Sequence, residues 1–229
     1  MHKNILIVGA STGIGEEMTK LFALNKANTI LAISRNVESN TDFENLDNVI
    51  CKNIDLESTN LKTDLHQFLD SFQSIDFVVF NAGKLINKPF LELSEDEIVT
   101  SYKVNVLSAF SVFQVVLPKM KNPNSHVVTI SSMGAFQGSV KFSGLSSYSS
   151  SKAALTNLTE MLAEEFKDSN VSFNCLCLGA AQTNMLELAF PGYQAPVSAE
   201  KMAEYIVDFT LNANQWLNGK IIPVSLSTP

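Results

Sequence analysis

Short apolar runs alternate along the chain with longer segments in which apolar residues recur every three to four positions. The runs predict strands near residues 4–9, 29–34, 48–52, 75–80, 125–131, 171–177 and 220–225. The periodic segments predict helices near 13–25, 59–71, 94–103, 104–120, 149–167 and 198–213. This alternation is typical of a parallel sheet with helices on both faces. We therefore expect a three-layer α/β protein with a single doubly wound parallel sheet of about seven strands.

Three runs are almost continuously apolar: ILIVG at residues 5–9, FVVFN at 77–81 and HVVTIS at 126–131. Strands covered on both faces have this character, so these three should be central strands. Two irregular stretches, 137–147 and 183–198, follow predicted strands. Ligands of open α/β sheets bind beyond the carboxyl ends of the strands, so we expect these stretches to form the walls of a pocket.

The composition narrows the class of protein. With 229 residues and 45% hydrophobic content, the chain suits one domain with a sizeable core. A formal charge of -7, with no basic run, argues against nucleic-acid binding. The start of the chain leaves no room for a signal peptide, and residues 104–118 are too short and too polar to span a membrane. We expect a cytoplasmic protein whose partners are small molecules.

The cysteines and histidines indicate neither disulfides nor a metal. The three cysteines form no C-x-x-C pair, and the three histidines have no ligand-like companions. Cys175 and Cys177 should face the same side of one strand, where core packing is the simplest role.

The first predicted strand is followed by the sequence GASTGIG, residues 9–15, and then by a helical segment. Three glycines at the spacing of Gly9, Gly13 and Gly15 would arise by chance roughly 0.02 times in such a chain. Glycine lets the chain turn sharply and bring backbone N–H groups against a pyrophosphate, whose charge the helix N-terminus favours. We predict a nucleotide-binding loop; the alternative is a tight turn without a ligand.

The sequence SSYSSSK, residues 146–152, places Tyr148 and Lys152 four residues apart. On a helix the two side chains would share one face. A Tyr-x-x-x-Lys match arises by chance roughly 0.26 times in this composition, so the motif alone proves little. The alternative is a polar helix start in which Ser147 caps the helix.

Other segments resemble, in the correct order, the motifs of the short-chain dehydrogenase/reductase family. The resemblance rests on the glycine loop at 9–15, Asp55 at the end of NID, FNAG at 80–83, Asn105, ISS at 130–132 and the Tyr148/Lys152 pair. It covers nearly the whole chain. The departures concern turns: Phe80 replaces the first Asn of the family's N-N-A-G, and Leu178 replaces the Pro before Gly179.

The resemblance implies a single Rossmann-fold domain over residues 1–229 that transfers hydride between a nicotinamide and a carbonyl or alcohol substrate. The catalytic residues it implies are Asn105, Ser132, Tyr148 and Lys152. The cofactor-binding residues it implies are Gly9, Ser11, Thr12, Gly13, Ile14, Gly15, Ser34, Arg35, Asp55, Leu56, Asn81, Ala82, Gly83, Tyr148, Lys152, Gly179 and Thr183. It also implies a homodimer or homotetramer paired through helix 104–120 and the helix after Tyr148, and a short lid over 184–196.

Two aspects of the predicted chemistry depend on geometry. For Tyr148 to act as a general acid and base near neutral pH, its pKa of about 10 must fall by roughly two to three units. One cation about 4 Å away could lower the pKa by roughly three units. Lys152 is the expected cation. The loop between Ser132 and Tyr148 is about three residues longer than is usual in the family, so Ser139 and Ser143 compete weakly with Ser132.

Arg35, the only arginine, follows the second predicted strand. An arginine at this turn accommodates the 2′-phosphate of NADP, whereas an acidic residue would bind the 2′-hydroxyl of NAD. We predict that NADP(H) is preferred and NAD(H) possible. A non-catalytic NAD(P)-binding sensor on the same fold is the alternative function, and the presence of both Tyr148 and Lys152 argues against it.

Overall fold

The computed structural model describes residues 2–226; Met1 and residues 227–229, which the predicted domain includes, lie outside this range. The described chain forms the strands β1 (Asn4–Val8), β2 (Thr29–Ser34), β3 (Val49–Asn53), β4 (Phe77–Phe80), β5 (Ser125–Ser132), β6 (Val171–Leu178), β7 (Ala181–Gln182), β8 (Val197–Ser198) and β9 (Lys220–Val224). Seven of them form one parallel sheet in the order β3-β2-β1-β4-β5-β6-β9. The predicted doubly wound Rossmann fold is confirmed, and β1, β4 and β5 are its central strands as expected.

The helices are α1 (Gly13–Ala23), α2 (Leu61–Leu69), α3 (Glu95–Tyr102), α4 (Ser108–Val116), α5 (Ser146–Glu165), α6 (Asn184–Ala189) and α7 (Ala199–Asn212). Alternate residues of the inner strands β1, β2, β4, β5 and β6 contribute to two separate cores. Leu6 and Val8 of β1 join the core under α2, α4 and α5, while Ile5 and Ile7 join the core under α1 and α7. Each fully buried side chain of this size stabilises the fold by roughly 1.5–3 kcal/mol. The sheet is therefore the middle of three layers.

The direction of winding reverses between β1 and β4. The chain runs from β1 outward to β3 and then returns to β4, which pairs with the other side of β1. Val8 of β1 lies opposite Phe80 of β4, so the loops after these two strands begin side by side. A crevice opens at such a switch point, beyond the carboxyl ends of the strands.

Two helix boundaries differ from the prediction. The predicted helices 94–103 and 104–120 are continuous, because a π-helical segment, Lys103–Leu107, joins α3 directly to α4. The chain contains neither glycine nor proline between residues 95 and 117, so no residue there breaks the helix. Such π segments are often found at functional sites.

Helix α5 begins at Ser146, three residues before the predicted start. Leu145 occupies the N-cap position, and Ser147 is already inside the first turn. The prediction that Ser147 caps this helix is therefore wrong. Its hydroxyl is buried and has no hydrogen-bond partner among the described residues.

No helix between residues 2 and 226 has both the length and the apolar character that a membrane crossing needs. Cys175 and Cys177 are both buried and pack with Met133, which agrees with the predicted core role. His126 is also a core residue: its Nδ1 bonds the carbonyl of Thr210 at 3.0 Å and its Nε2 lies 2.9 Å from the Asn174 amide nitrogen.

Candidate active site

The predicted site residues gather at one edge of the sheet. Because parallel strands end at the same edge, the residues that close the strands become neighbours although they are far apart in sequence. The residues at or just after the strand ends are Gly9, Ser34, Asp55, Asn81, Ser132 and Gly179.

The glycine loop is tightly folded against the segment that follows β4. Gly9 has a φ of +87°, and a Cβ on it would lie 2.7 Å from the Cα of Ala82. A Cβ on Gly15 would lie 1.9 Å from the carbonyl oxygen of Gly9. A side chain at position 9 would therefore push the loop away from the segment after β4, and one at position 15 would push the start of α1 away from the loop.

The N-terminus of α1 has the features of an anion site. Thr12 holds the N-cap position, and its side chain makes no capping hydrogen bond. Thr12, Gly13 and Ile14 line a large cavity. Unpaired N–H groups and the helix dipole favour a negative charge there, so these residues fit the pyrophosphate of a dinucleotide.

A second group of predicted residues lies beside the glycine loop and outside the cavity lining. The hydroxyls of Ser11 and Ser34 are 2.9 Å apart, which places the end of β2 against the loop. The Arg35 side chain is 68% exposed, and its Nη1 lies 4.0 Å from a carboxylate oxygen of Glu57. Glu57, which the sequence reasoning missed, follows the predicted Asp55 and Leu56 and also pairs with Lys84 at 3.5 Å.

The segment after β4 links the glycine loop to Lys152. The amide of Asn81 donates to the carbonyl of Gly9 at 2.9 Å. The carbonyl of Ala82 accepts a hydrogen bond from Lys152 Nζ at 3.1 Å, and a Cβ on Gly83 would lie 3.1 Å from the same Nζ. Lys152 thus reaches the region that the predicted nucleotide loop encloses.

Tyr148 and Lys152 project from the first two turns of α5 into the same cavity. The phenol is hydrogen-bonded to the side chain of Ser132, which ends β5. Lys152 is 2% exposed, and its ammonium donates to the carbonyls of Ala82 and Ile130. The three residues therefore form one cluster, as the motif spacing and the resemblance led us to expect.

Burial controls the ionisation of both groups. It raises the pKa of Tyr148 to about 12, and the hydrogen bond with Ser132 offsets only part of this increase. Burial lowers the pKa of Lys152 to about 8. The expectation that Lys152 brings the tyrosine pKa down towards neutrality is therefore not met. The loss of hydration at Tyr148 outweighs the electrostatic help that sequence spacing suggested.

The structure separates the three candidate serines. Ser132 lines the cavity, and its Oγ accepts a hydrogen bond from the backbone N–H of Gly134 at 3.2 Å. The hydroxyl of Ser139 is directed into its own loop, where it donates to the carbonyls of Met133 and Phe136. Ser143 is exposed, and neither Ser139 nor Ser143 lines the cavity. The longer loop therefore leaves Ser132 beside Tyr148.

Asn105 lies in the π-helical segment and is fully buried. Its Oδ1 accepts from the backbone N–H of Lys84 at 2.7 Å, and its Nδ2 donates to the Ser151 hydroxyl at 2.8 Å. Ser151 in turn donates to the carbonyl of Tyr148 at 2.7 Å. Asn105 thus joins the segment after β4 to α5 from behind the cavity; it is not a lining residue.

Sequence reasoning missed this role of Ser151. Its position, three residues after Tyr148, is the one signal that could have indicated a hydrogen bond to the Tyr148 carbonyl.

The cavity has a volume of about 1140 Å³. The predicted walls contribute to it: Phe142 and Leu145 come from the loop before α5, and Thr183, which directly precedes the predicted lid over 184–196, comes from the second irregular stretch. Thr183 caps α6 by accepting from the backbone N–H of Leu186 at 3.2 Å. Its Cγ2 would lie 3.2 Å from a Cβ on Gly13, so the lid starts directly above the glycine loop.

Comparisons with known proteins agree with this arrangement. Residues 3–194 match the family model described as short chain dehydrogenase. Oxidoreductase UcpA of Salmonella typhimurium is 32% identical over 197 residues, which are 81% of this chain and 72% of UcpA. The 7alpha-hydroxysteroid dehydrogenase of Escherichia coli K12 is 27% identical, with 97% of this chain and 92% of that protein covered.

Solved structures share the fold. The complex of Pseudomonas aeruginosa RhlG with NADP superimposes with a TM-score of 0.85 at 24% identity, covering 97% of this chain and 94% of RhlG. Together with the family match over most of the sequence, these findings establish that the chain belongs to the short-chain dehydrogenase family of oxidoreductases.

Proposed function

We propose that the protein transfers hydride between NADP(H) and a carbonyl or alcohol substrate, with Tyr148 as the general acid and base. The observation that carries this proposal is the cluster of Ser132, Tyr148 and Lys152 in one cavity that continues to the N-terminus of α1. A bound nicotinamide would supply the hydride, and the chain would supply the proton and the positioning.

The ionisation of Tyr148 suits the reductive direction. A phenol with a pKa of about 12 keeps its proton at neutral pH and can donate it to the oxygen of a carbonyl as that oxygen gains negative charge. The O–H bond of Tyr148 breaks as the alcohol O–H bond forms, and a tyrosinate remains. Lys152, one helical turn away, carries the positive charge that offsets this tyrosinate. Ser132 would donate a second hydrogen bond to the carbonyl oxygen.

The backbone of the glycine loop and α1 would hold the dinucleotide, through Gly9, Gly13 and Gly15 and the N–H groups beside Thr12 and Ile14. Asn81, Gly83, Gly179 and Thr183 line the same cavity, and Ala82 packs against Gly9, which supports the cofactor role that we propose for these residues. Asn105 does not line the cavity, so we propose a positioning role for it. It holds the backbone of Lys84 directly and holds α5 through the hydroxyl of Ser151.

Replacing Tyr148 tests the proton-transfer role. We expect Tyr148→Phe to bind NADPH within about threefold of wild type and to reduce carbonyl substrates at least about 1000-fold more slowly, because only the proton donor is removed. The measurement is NADPH oxidation at 340 nm beside a binding titration. Tyr102→Phe, which removes a phenol that does not line the cavity, is the control. Turnover by Tyr148→Phe above a tenth of wild type would exclude the assignment.

The choice of NADP(H) over NAD(H) rests on Arg35. Arg35 follows Ser34, whose hydroxyl lies 2.9 Å from that of Ser11, and its guanidinium is 68% exposed and 4.0 Å from a carboxylate oxygen of Glu57. The 2′-phosphate of the adenosine would bind this guanidinium. The NADP complex of RhlG, which shares the fold, supports the same choice.

A comparison of cofactor affinities tests this preference. We expect wild type to bind NADPH at least about tenfold more tightly than NADH, because one charge-assisted hydrogen bond to the 2′-phosphate contributes about that much. Arg35→Ala should lose most of this difference in affinity. Lys52→Ala removes another exposed cation, on β3, and should leave the ratio unchanged. Equal affinities in wild type would refute the preference.

The predicted homodimer or homotetramer stays a prediction. Leu107 and Phe110, at the outer side of the π segment and α4, are exposed, as is Met161 on α5. Pairing of these helices with a second copy would cover them, which supports the proposal.

A further inference from the structure

Apolar side chains form much of the lining of the cavity that contains Tyr148. They come from separate parts of the chain: the loop between β5 and α5, the helix α6, the segment that follows it, and α7. The main contributors are Met133, Leu145, Leu186, Phe190, Met202 and Tyr205.

Charged groups are almost absent from this wall. Among the described lining residues, only Lys152 and Lys201 carry a charge, and no carboxylate lines the cavity. The ammonium of Lys152 already donates to two backbone carbonyls, and Lys201 is paired with Glu204 on its own helix. A substrate carboxylate placed among the apolar side chains would lose water and meet no cation that is free of other partners among the described lining residues, which is costly.

The cavity is also large. Pockets for small molecules usually measure about 300–1000 Å³, and this one has about 1140 Å³. Thr12, Gly13 and Ile14 also line it, so a bound dinucleotide would fill part of this volume and the substrate would occupy the remainder. Ser132 and Tyr148 line the same space, so a carbonyl oxygen at Tyr148 would leave the carbon skeleton against the apolar wall.

We propose that the substrate is an uncharged, predominantly apolar ketone or aldehyde whose carbon chain packs against α6 and α7. This inference rests on the proposed carbonyl reduction and adds the chemical class of the compound reduced. Recognition would come chiefly from burial of the carbon chain against apolar side chains such as Leu186, Phe190 and Met202. The uncharged hydroxyl and amide groups that also line the cavity, among them those of Asn184, Tyr193 and Ser198, could bind single polar atoms of the substrate.

A series of straight-chain ketones tests the proposal. Dissociation constants of butan-2-one, hexan-2-one and octan-2-one are measured by calorimetry with the protein, with and without saturating NADP+, with which a ketone cannot react. We expect affinity to rise roughly threefold for each buried methylene, and so by about eightyfold over the four methylenes that separate butan-2-one from octan-2-one. The polyhydroxylated ketone erythrulose should bind more weakly than octan-2-one. Equal affinity along the series, or tighter binding of erythrulose, would overturn the proposal.

Two leucines of α6 provide a matched pair of variants. Leu186 lines the cavity, whereas Leu188 on the same helix is 84% exposed and does not. Leu186→Asn should weaken octan-2-one binding about tenfold and butan-2-one binding much less, while Leu188→Asn should change either by less than twofold. Equal effects of the two substitutions would count against an apolar contact at Leu186.

Turnover with NADPH is measured separately on the same ketones. Affinity that rises with chain length, without any NADPH oxidation, would support the apolar site and refute hydride transfer. NADPH oxidation with no dependence of affinity on chain length would support the proposed function and refute the substrate class.

Discussion

Lys152 carries the charge on which the proposed proton transfer depends. It is buried beneath the segment after β4, and burial lowers its pKa to about 8. The ammonium is therefore present below about pH 8 and lost above it. A tyrosinate formed at Tyr148 loses its nearby positive charge once Lys152 is neutral.

The pH dependence of carbonyl reduction follows from the loss of the positive charge of Lys152 as pH rises. We expect kcat/KM for reduction to be level between pH 6 and 7 and to fall as pH rises through about 8, approaching tenfold per pH unit. Tyr148, with a pKa of about 12, stays protonated throughout this range.

Lys201→Met removes the other cavity lysine, which is exposed, and should leave this profile unchanged. A rate that stays constant from pH 6 to pH 9.5 would contradict the role given to Lys152.

Sequence spacing predicted that Tyr148 and Lys152 share a face, because that depends only on helical geometry. It could not predict their pKa values, which depend on residues distant in the chain. Ala82 and Ile130, whose carbonyls accept from Lys152, come from two other strand ends.

Helix α5 places Tyr148 in its first turn because it begins at Ser146, earlier than its sequence suggests. A row of serines gives no apolar periodicity, so the start could not be read from the pattern. The consequence is a buried hydroxyl at Ser147 that has no partner in the described structure.

Removing that hydroxyl should stabilise the protein. We expect Ser147→Ala to raise the free energy of unfolding by about 1 kcal/mol, since an unpaired buried polar group is lost and alanine favours the helix. The hydroxyl of Ser150, on the same helix, is satisfied by the carbonyl of Ser146 at 2.7 Å. Ser150→Ala should therefore change the free energy of unfolding by less than about 0.5 kcal/mol. Urea unfolding measures both; a clear loss of stability in Ser147→Ala would show that its hydroxyl has a role.

The junction between α3 and α4 shows a similar limit of sequence reasoning. The apolar pattern indicated two helices and did not reveal that a π segment joins them. That segment turns Asn105 towards Lys84 and Ser151, contacts that form only when three distant parts of the chain pack together.

At the scale of the whole molecule, the alternation of strands and helices was enough to predict the fold. A parallel sheet then requires the strand ends to meet at one edge, so the glycine loop, Ser132 and Gly179 had to become neighbours. The shape of the pocket was less predictable. Residues 137–147 and 183–198 were expected to form walls, but the contributions of Met202 and Tyr205 on α7 depend on how that helix packs across β4 and β5.

The sheet edge brings the phenol of Tyr148, the buried ammonium of Lys152 and the N-terminus of α1 into one cavity, and we propose that hydride transfer takes place there. The most direct test uses NADPH carrying deuterium at the transferable position of C4, with octan-2-one as substrate and mass spectrometry of the product. We predict octan-2-ol with one deuterium on the carbinol carbon, and none from Tyr148→Phe beyond trace amounts. Bound NADPH that yields no deuterated alcohol from any ketone of the series would contradict the account and favour a protein that only senses the cofactor.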